Sequence, residues 1–209
     1  MAHVDADGRL FDPVSVSTSA RAAGARTLVD VSRGAGAMAL EIDALGADFV
    51  MTESHRWMLG PDAVAALWVT PDLDRELPEW LRQASSPFSR GALLALARSV
   101  GWLLMFVELP WALDRTAALA DRLYEDLGAI DGVTLLADPS AHGAIAAFRI
   151  ADWDAETAAE ELGRSIFAIV EVDAEADVIR ASVGAWNRES ELDRFVERVA
   201  ELAAHTPET

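Results

Sequence analysis

Two rhythms of apolar and polar positions run along this chain. Short apolar runs at residues 27–31, 48–52 and 65–70 read as strands. Before them, Pro13 opens a helix at its favoured first position, expected to run to about Ala25 with Gly24 at its end. Residues 1–12 read as a strand tail and a turn marked by Asp7-Gly8. A helix is expected over 38–46, so strand and helix alternate as in a parallel sheet. Only about a dozen residues, Gly60-Pro61 among them, separate the second strand from the third. That leaves little room for a helix and allows the third strand to run antiparallel.

Residues 71–90 are rich in Pro and charge and mark a boundary, giving domains 1–88 and 89–209. Two helices follow, about 90–108 and 110–129, broken at Pro110. Leu113, Ala117, Ala120, Tyr124 and Leu127 line one face of the second. The remainder reads as a compact α+β unit. Its strands are 133–137, 144–150, 167–172 and 177–183, and a helix over 154–164 has Asp154 as N-cap. A last helix runs from Ser190 to about Ala204, with Ser190–Asp193 as its capping box. The longest apolar stretch, Ala92–Leu109, is interrupted by Arg98 and Glu108, with Gly101 in its middle. A membrane span needs about 20 uninterrupted apolar residues, so the stretch reads as a core helix or a subunit contact, and no membrane is expected as a partner.

Composition narrows the chemistry. Apolar residues make up 52% of the 209, which marks a globular chain. A net charge of −18 argues against nucleic acid and anionic lipid as partners, and it also keeps a surface soluble. There is no Cys, which excludes disulfides, thiolate nucleophiles and Cys metal sites. The four His residues show no metal-ligand spacing, so no metal is expected. All 17 basic residues are Arg, and without Lys no side chain can form a Schiff base. The start, Met1-Ala2-His3-Val4-Asp5, has neither basic residues nor an apolar run, so a cytoplasmic protein is expected.

Polar groups collect at the ends of two successive strands: Asp30 near the end of the first, Ser54-His55-Arg56-Trp57 after the second. In open α/β sheets ligands bind there. Each residue also has a plainer reading. Asp30 is equally a turn acid. His55 is a hydrogen-bonded His or a general acid–base. Arg56 is a drift product or an anion holder. Arg180, on a strand expected to be half-buried, requires an anion, either a ligand carboxylate or an internal acid.

Two blocks, LVDVSRGAGAMALEIDALGADFVMTESHRWMLGPDAVAALWV ending at Val69 and IRASVGAWNRESELDRFV from Ile179 to Val196, carry a resemblance. They resemble class V aminotransferases, the fold-type-I pyridoxal phosphate enzymes that include cysteine desulfurases, selenocysteine lyases and isopenicillin N epimerase-like proteins. The resemblance spans essentially the whole chain but only the C-terminal half or so of a family member. It implies an α/β remnant of the large-domain sheet followed by a smaller α+β C-terminal domain. It also implies roles. Asp30 matches the acid that pairs with the pyridine nitrogen of the cofactor, and Arg33 falls where the family has a Gln at the phenolate oxygen. His55 matches the His before the Schiff-base Lys, and Arg56 falls on that Lys. Arg180 matches the Arg that grips a substrate carboxylate, and Trp186-Asn187 stands for the family's Tyr-Asn.

Arg cannot replace Lys in Schiff-base chemistry, because its guanidinium stays protonated and delocalised. No cofactor is therefore expected, pyridoxal phosphate entering only if a partner completes the site. The preferred expectation is a repurposed small-molecule-binding or cofactor-independent biosynthetic protein of bacterial specialised metabolism, with a carboxylate-bearing ligand at Arg180 and Asn187 and His55 as acid–base. The alternatives are one subunit of a split enzyme and a non-catalytic scaffold. Family members are dimers with the active site at the interface. The resemblance thus implies a homodimer, or a heteromer with a chain like the missing N-terminal half, with Ala92–Trp111 in or near the contact.

Overall fold

The computed structural model describes residues 1–62, 64–75, 77–79 and 89–205. It divides into two compact units, one of Met1–Val4 with Phe11–Ala112, the other of Asp5–Leu10 with Leu113–Thr209. The sequence boundary at 88/89 rested on a Pro-rich stretch that lies mostly outside the described residues. The compact units part within a helix, between Ala112 and Leu113.

In the first unit, α1 (Pro13–Ala22) starts where the Asp12 side chain accepts a hydrogen bond from the Val14 N–H at 2.9 Å. Three strands follow: β1 (Leu28–Asp30), β2 (Phe49–Glu53) and β3 (Ala65–Val69). They form a sheet in the order β1-β2-β3. Strand β1 pairs with β2 in parallel, Val29 beside Val50. Strand β3 runs antiparallel to β2, with Val50 opposite Trp68, as the short link allows. Residues 1–4 extend this sheet: Ala2 bridges Asp30, and the His3 N–H donates to the Asp30 carbonyl at 2.8 Å. Val29, Val31, Leu45, Ala47 and Val50 form the core beneath, with Leu40 and Trp68 packed against it. Each buried Val or Leu side chain there contributes about 1.5–3 kcal/mol relative to exposure.

The helix expected over 38–46 is reduced to one 3-10 turn, Ile42–Leu45. Backbone bonds from Ala37 and Met38 to the Gly34 carbonyl keep the preceding turn tight. Leu40 then turns inward while Ala39 and Glu41 face solvent, a period of two that suits extended chain rather than helix.

A short helix, α2 (Pro71–Asp74), follows β3, and α3 (Arg90–Trp102) runs into a π-helical turn, Leu103–Val107. No residue of α3 is buried, so the reading of this stretch as a core helix does not hold. Leu94, Trp102, Leu104, Met105 and Phe106 are all exposed. Among the described residues, the 18 from Arg90 to Val107 form the one helical segment long and apolar enough to cross a bilayer.

Helix α4 (Leu109–Gly128) leads into the second unit. There β4 (Val133–Leu135), β5 (Ile145–Ile150), β6 (Glu171–Asp173) and β7 (Val178–Ser182) form an antiparallel sheet in the order β4-β5-β7-β6. Helices α5 (Ala155–Ile166) and α6 (Glu189–Ala203) pack against each other and against β5. Of the stripe expected on α4, Ala120, Tyr124 and Leu127 are buried, but Leu113 is half-buried and Ala117 is exposed; the buried face is completed by Thr116, Leu119 and Leu123 instead. Asp154 caps α5 as expected, accepting from the Thr157 N–H at 2.9 Å. The cap of α6 lies earlier than Ser190. Arg188 is its N-cap, and its N–H donates to the Glu191 carboxylate at 3.0 Å. The strand expected at 167–172 begins only at Glu171, because Phe167 takes a left-handed conformation (φ 58°) that ends α5 and leaves 168–170 as irregular chain.

Candidate functional site

In the first unit the strand-end residues are joined by one hydrogen-bonded relay. The Asp30 Oδ1 accepts from the Ser32 N–H at 2.8 Å and the Ser32 hydroxyl at 2.5 Å. Ser32 Oγ in turn accepts from the Glu53 N–H at 3.0 Å, tying the end of β1 to the end of β2. Asp30 thus serves locally as a turn acid.

The loop after β2 is held as tightly. Ser54 is buried, and its hydroxyl donates to the Pro61 carbonyl at 2.5 Å while Gly60 N–H returns to the Ser54 carbonyl at 2.8 Å. From α3, Ser99 Oγ donates to the Leu59 carbonyl at 2.7 Å. Gly36 (φ +83°) brings the first turn against this loop. A Cβ there would stand 2.8 Å from the Trp57 carbonyl carbon.

Glu53, which sequence reasoning passed over, is the pivot of the loop. Its Oε2 lies 3.8 Å from His55 Nε2 and 3.7 Å from Arg56 Nε. Arg56 Nε is buried and makes no hydrogen bond. The Arg33 guanidinium makes no hydrogen bond or ion pair among the described residues. The available signal for Glu53 was an acid at a strand end, directly before Ser54-His55. His3 was also passed over. It is buried beside Gly34 with its Nδ1 unpaired, and burial lowers its pKa.

Arg180 and Asn187 belong to the second unit and do not share one surroundings. The Arg180 guanidinium is engaged by three carboxylates: Asp173 at 2.7 Å, Asp7 at 3.1 and 3.2 Å, and Glu171 at 3.2 Å. Burial opposes its charge, but the bonds to Asp173 and Asp7 outweigh that and raise its pKa. The internal acid is the partner the strand provides. Asn187 accepts from the Gly184 N–H at 3.0 Å and donates to Glu191 at 3.3 Å. Arg115 anchors the turn through the carbonyls of Ala185 and Asn187, at 3.3 and 3.0 Å. Asn187 lines a cavity of about 570 Å³, bounded by α4, β7, α6 and residues 166–170. Among the described residues no group of His, Asp and Glu side chains is placed to hold a metal.

Comparison with known proteins agrees with this architecture. Residues 1–87 match the family model of aminotransferase class-V. The chain is 29% identical to a probable cysteine desulfurase of Pseudomonas aeruginosa, over 84% of this chain and 51% of that protein. A probable cysteine desulfurase of Methanothermobacter thermautotrophicus is 22% identical, over 94% and 58%. The apo structure of a cysteine desulfurase from Thermococcus onnurineus superimposes with a TM-score of 0.84, at 18% identity, covering 97% of this chain and 59% of that one. The chain therefore spans about half the length of the curated relatives it matches. Residues 1–87 are thus similar to class V aminotransferases, and the chain as a whole shares its fold with cysteine desulfurases.

Proposed function

We propose that this chain does not carry out Schiff-base chemistry by itself and acts as a small-molecule-binding protein built on the class V aminotransferase fold. One observation carries the reading. Among 209 residues there is no Lys, and the position after His55, where the resemblance puts the Schiff-base Lys, is Arg56. Its delocalised guanidinium is no nucleophile, and it faces Glu53 across 3.7 Å. A covalently held pyridoxal phosphate therefore does not fit the residues present. Asp30, the acid expected at the pyridine nitrogen, already accepts two hydrogen bonds from Ser32 through one oxygen. His55, exposed and 3.8 Å from Glu53, is free to serve a bound ligand as acid or base. A cytoplasmic, biosynthetic setting is part of this reading.

The test is retention. The purified chain is incubated with pyridoxal phosphate, treated with borohydride and desalted. The expected result is no covalent adduct on any side chain of the wild type, an adduct on the exposed α-amine of Met1 being set aside by peptide mapping. An adduct on a side chain of the wild-type chain overturns the reading.

A second reading, one subunit of a composite enzyme, is favoured by the apolar run on α3 and the turn after it, where Met105 and Phe106 are each 74% exposed. Side chains so open are a usual mark of a contact surface. A homodimer through this surface, or a heteromer with a chain carrying the rest of the fold, would cover them. Native mass of the protein from its own cells, with mass spectrometry of whatever co-purifies, separates these from a monomer.

A further inference from the structure

We propose that the cavity between β7, α6 and residues 166–170 binds a monocarboxylic acid with a bulky apolar body, and that Arg194 takes its carboxylate. The inference rests on the small-molecule reading above and names the ligand class for it. The cavity holds about 570 Å³, within the range of about 300–1,000 Å³ typical of small-ligand sites. Leu123, Val183 and Leu192 give it a buried apolar floor. Its rim carries Phe167, Ile169 and Trp186, which are 87%, 98% and 56% exposed. Apolar side chains so open to water gain most from covering an apolar ligand.

The polar lining decides the head group. Arg180 is not part of it, since its donors are taken by Asp7, Glu171 and Asp173. Arg194 is the only basic residue of the lining, and it makes no hydrogen bond or ion pair among the described residues. Glu191, one turn earlier on α6, is the only acid there among the described residues, and it is engaged by the Arg188 N–H and the Asn187 amide. Arg194 lies near enough to Glu191 for their charges to interact but pairs with no carboxylate at bonding distance, and such a cation at the edge of a chamber with an apolar floor selects a carboxylate with an apolar tail over a neutral or basic ligand.

The test is calorimetric titration of the full chain with decanoate and with decanol, which share an apolar body and differ in charge. Arg194→Gln and Ile169→Asp are compared with the wild type; both positions are exposed, and circular dichroism confirms the fold. Saturable binding of decanoate by the wild type is expected, weakened about tenfold in each variant, while Arg194→Gln changes decanol binding by less than about twofold. No saturable binding by the wild type, or equal decanoate affinity in Arg194→Gln, overturns the proposal. So does a wild type that self-associates and is dispersed by Ile169→Asp with decanoate binding unchanged, because the cavity is then a contact between copies. No pyridoxal phosphate enters the titration, so a side-chain adduct in the retention test defeats the functional reading without deciding this one.

Discussion

Arg180 and Asp7 lie 173 residues apart in sequence, yet two N–H groups of the guanidinium reach one Asp7 oxygen at 3.1 and 3.2 Å. With Asp173 and Glu171 they form an ion cluster around a side chain only 11% exposed. Removing the cation leaves three carboxylates facing one another. Arg180→Ala is expected to lower stability by about 2 kcal/mol, discounted from the fully buried case because Glu171 is open to solvent. Arg180→Lys should recover only part, since an ammonium cannot span three acceptors as a fork does. Urea unfolding reads both, and an unchanged midpoint for Arg180→Ala would show the cluster to be energetically neutral.

The buried His3 makes stability depend on pH. Burial holds its folded pKa below the ordinary value of about 6.5, so the unfolded chain binds the proton more readily. Its contribution is complete above that value and declines as the pH falls below it. His3→Gln should flatten the stability profile between about pH 6.5 and 5. The same slope in wild type and variant would assign the dependence to another group.

Asp48 acts in the opposite range. Its carboxylate accepts from the Thr27 N–H at 2.8 Å and from Arg26 at 3.1 Å, and the Thr27 bond is the main cause of its lowered pKa. The stability it gives is present above about pH 4 and is lost as acidity passes its folded pKa. Asp48→Ala should cost about 1–3 kcal/mol at neutral pH by orphaning the Thr27 donor, and less in acid. Equal losses at both pH values would contradict this.

Gly36 and Gly24 separate backbone strain from close approach. Both have positive φ, 83° and 74°, but a Cβ at Gly24 meets nothing within 4 Å while one at Gly36 meets the Trp57 backbone. Gly24→Ala should cost about 1 kcal/mol from conformation alone. Gly36→Ala should cost more and loosen the loop carrying His55 and Arg56, seen as faster amide exchange at 54–60.

The exposed run after α3 offers a simple check on assembly. If a second chain covers Met105 and Phe106, Phe106→Glu should shift the native mass towards the monomer without changing the unfolding midpoint of the monomer itself. A wild type that is already monomeric at micromolar concentration leaves the composite-enzyme reading without support.

Much of this was legible along the chain. The strands after Gly24 and Gly46, the antiparallel turn of β3 and the Asp154 cap follow from local pattern and link length. The helix expected at 38–46 was not, because Met38, Leu40 and Ile42 suit an extended period as well as a helical one. The exposure of α3 was not legible either, since apolar composition is the same whether a face meets a core or water. Arg180 was correctly seen to need an anion, but no local signal could point to Asp7 at the other end of the sequence. Glu53 was missed because one acid at a strand end has no spacing to distinguish it.

The segment Asp5–Leu10 belongs to the second compact unit although the residues on both sides of it belong to the first. The chain therefore passes between the units three times, after Val4, after Leu10 and after Ala112. No single cut can yield two autonomous halves. A fragment beginning at Leu113 would lack Asp7 for Arg180 and the Gly8 carbonyl that accepts from the Gly143 N–H at 2.8 Å. A peptide of the first dozen or so residues, supplied in trans, should bind such a fragment and restore it.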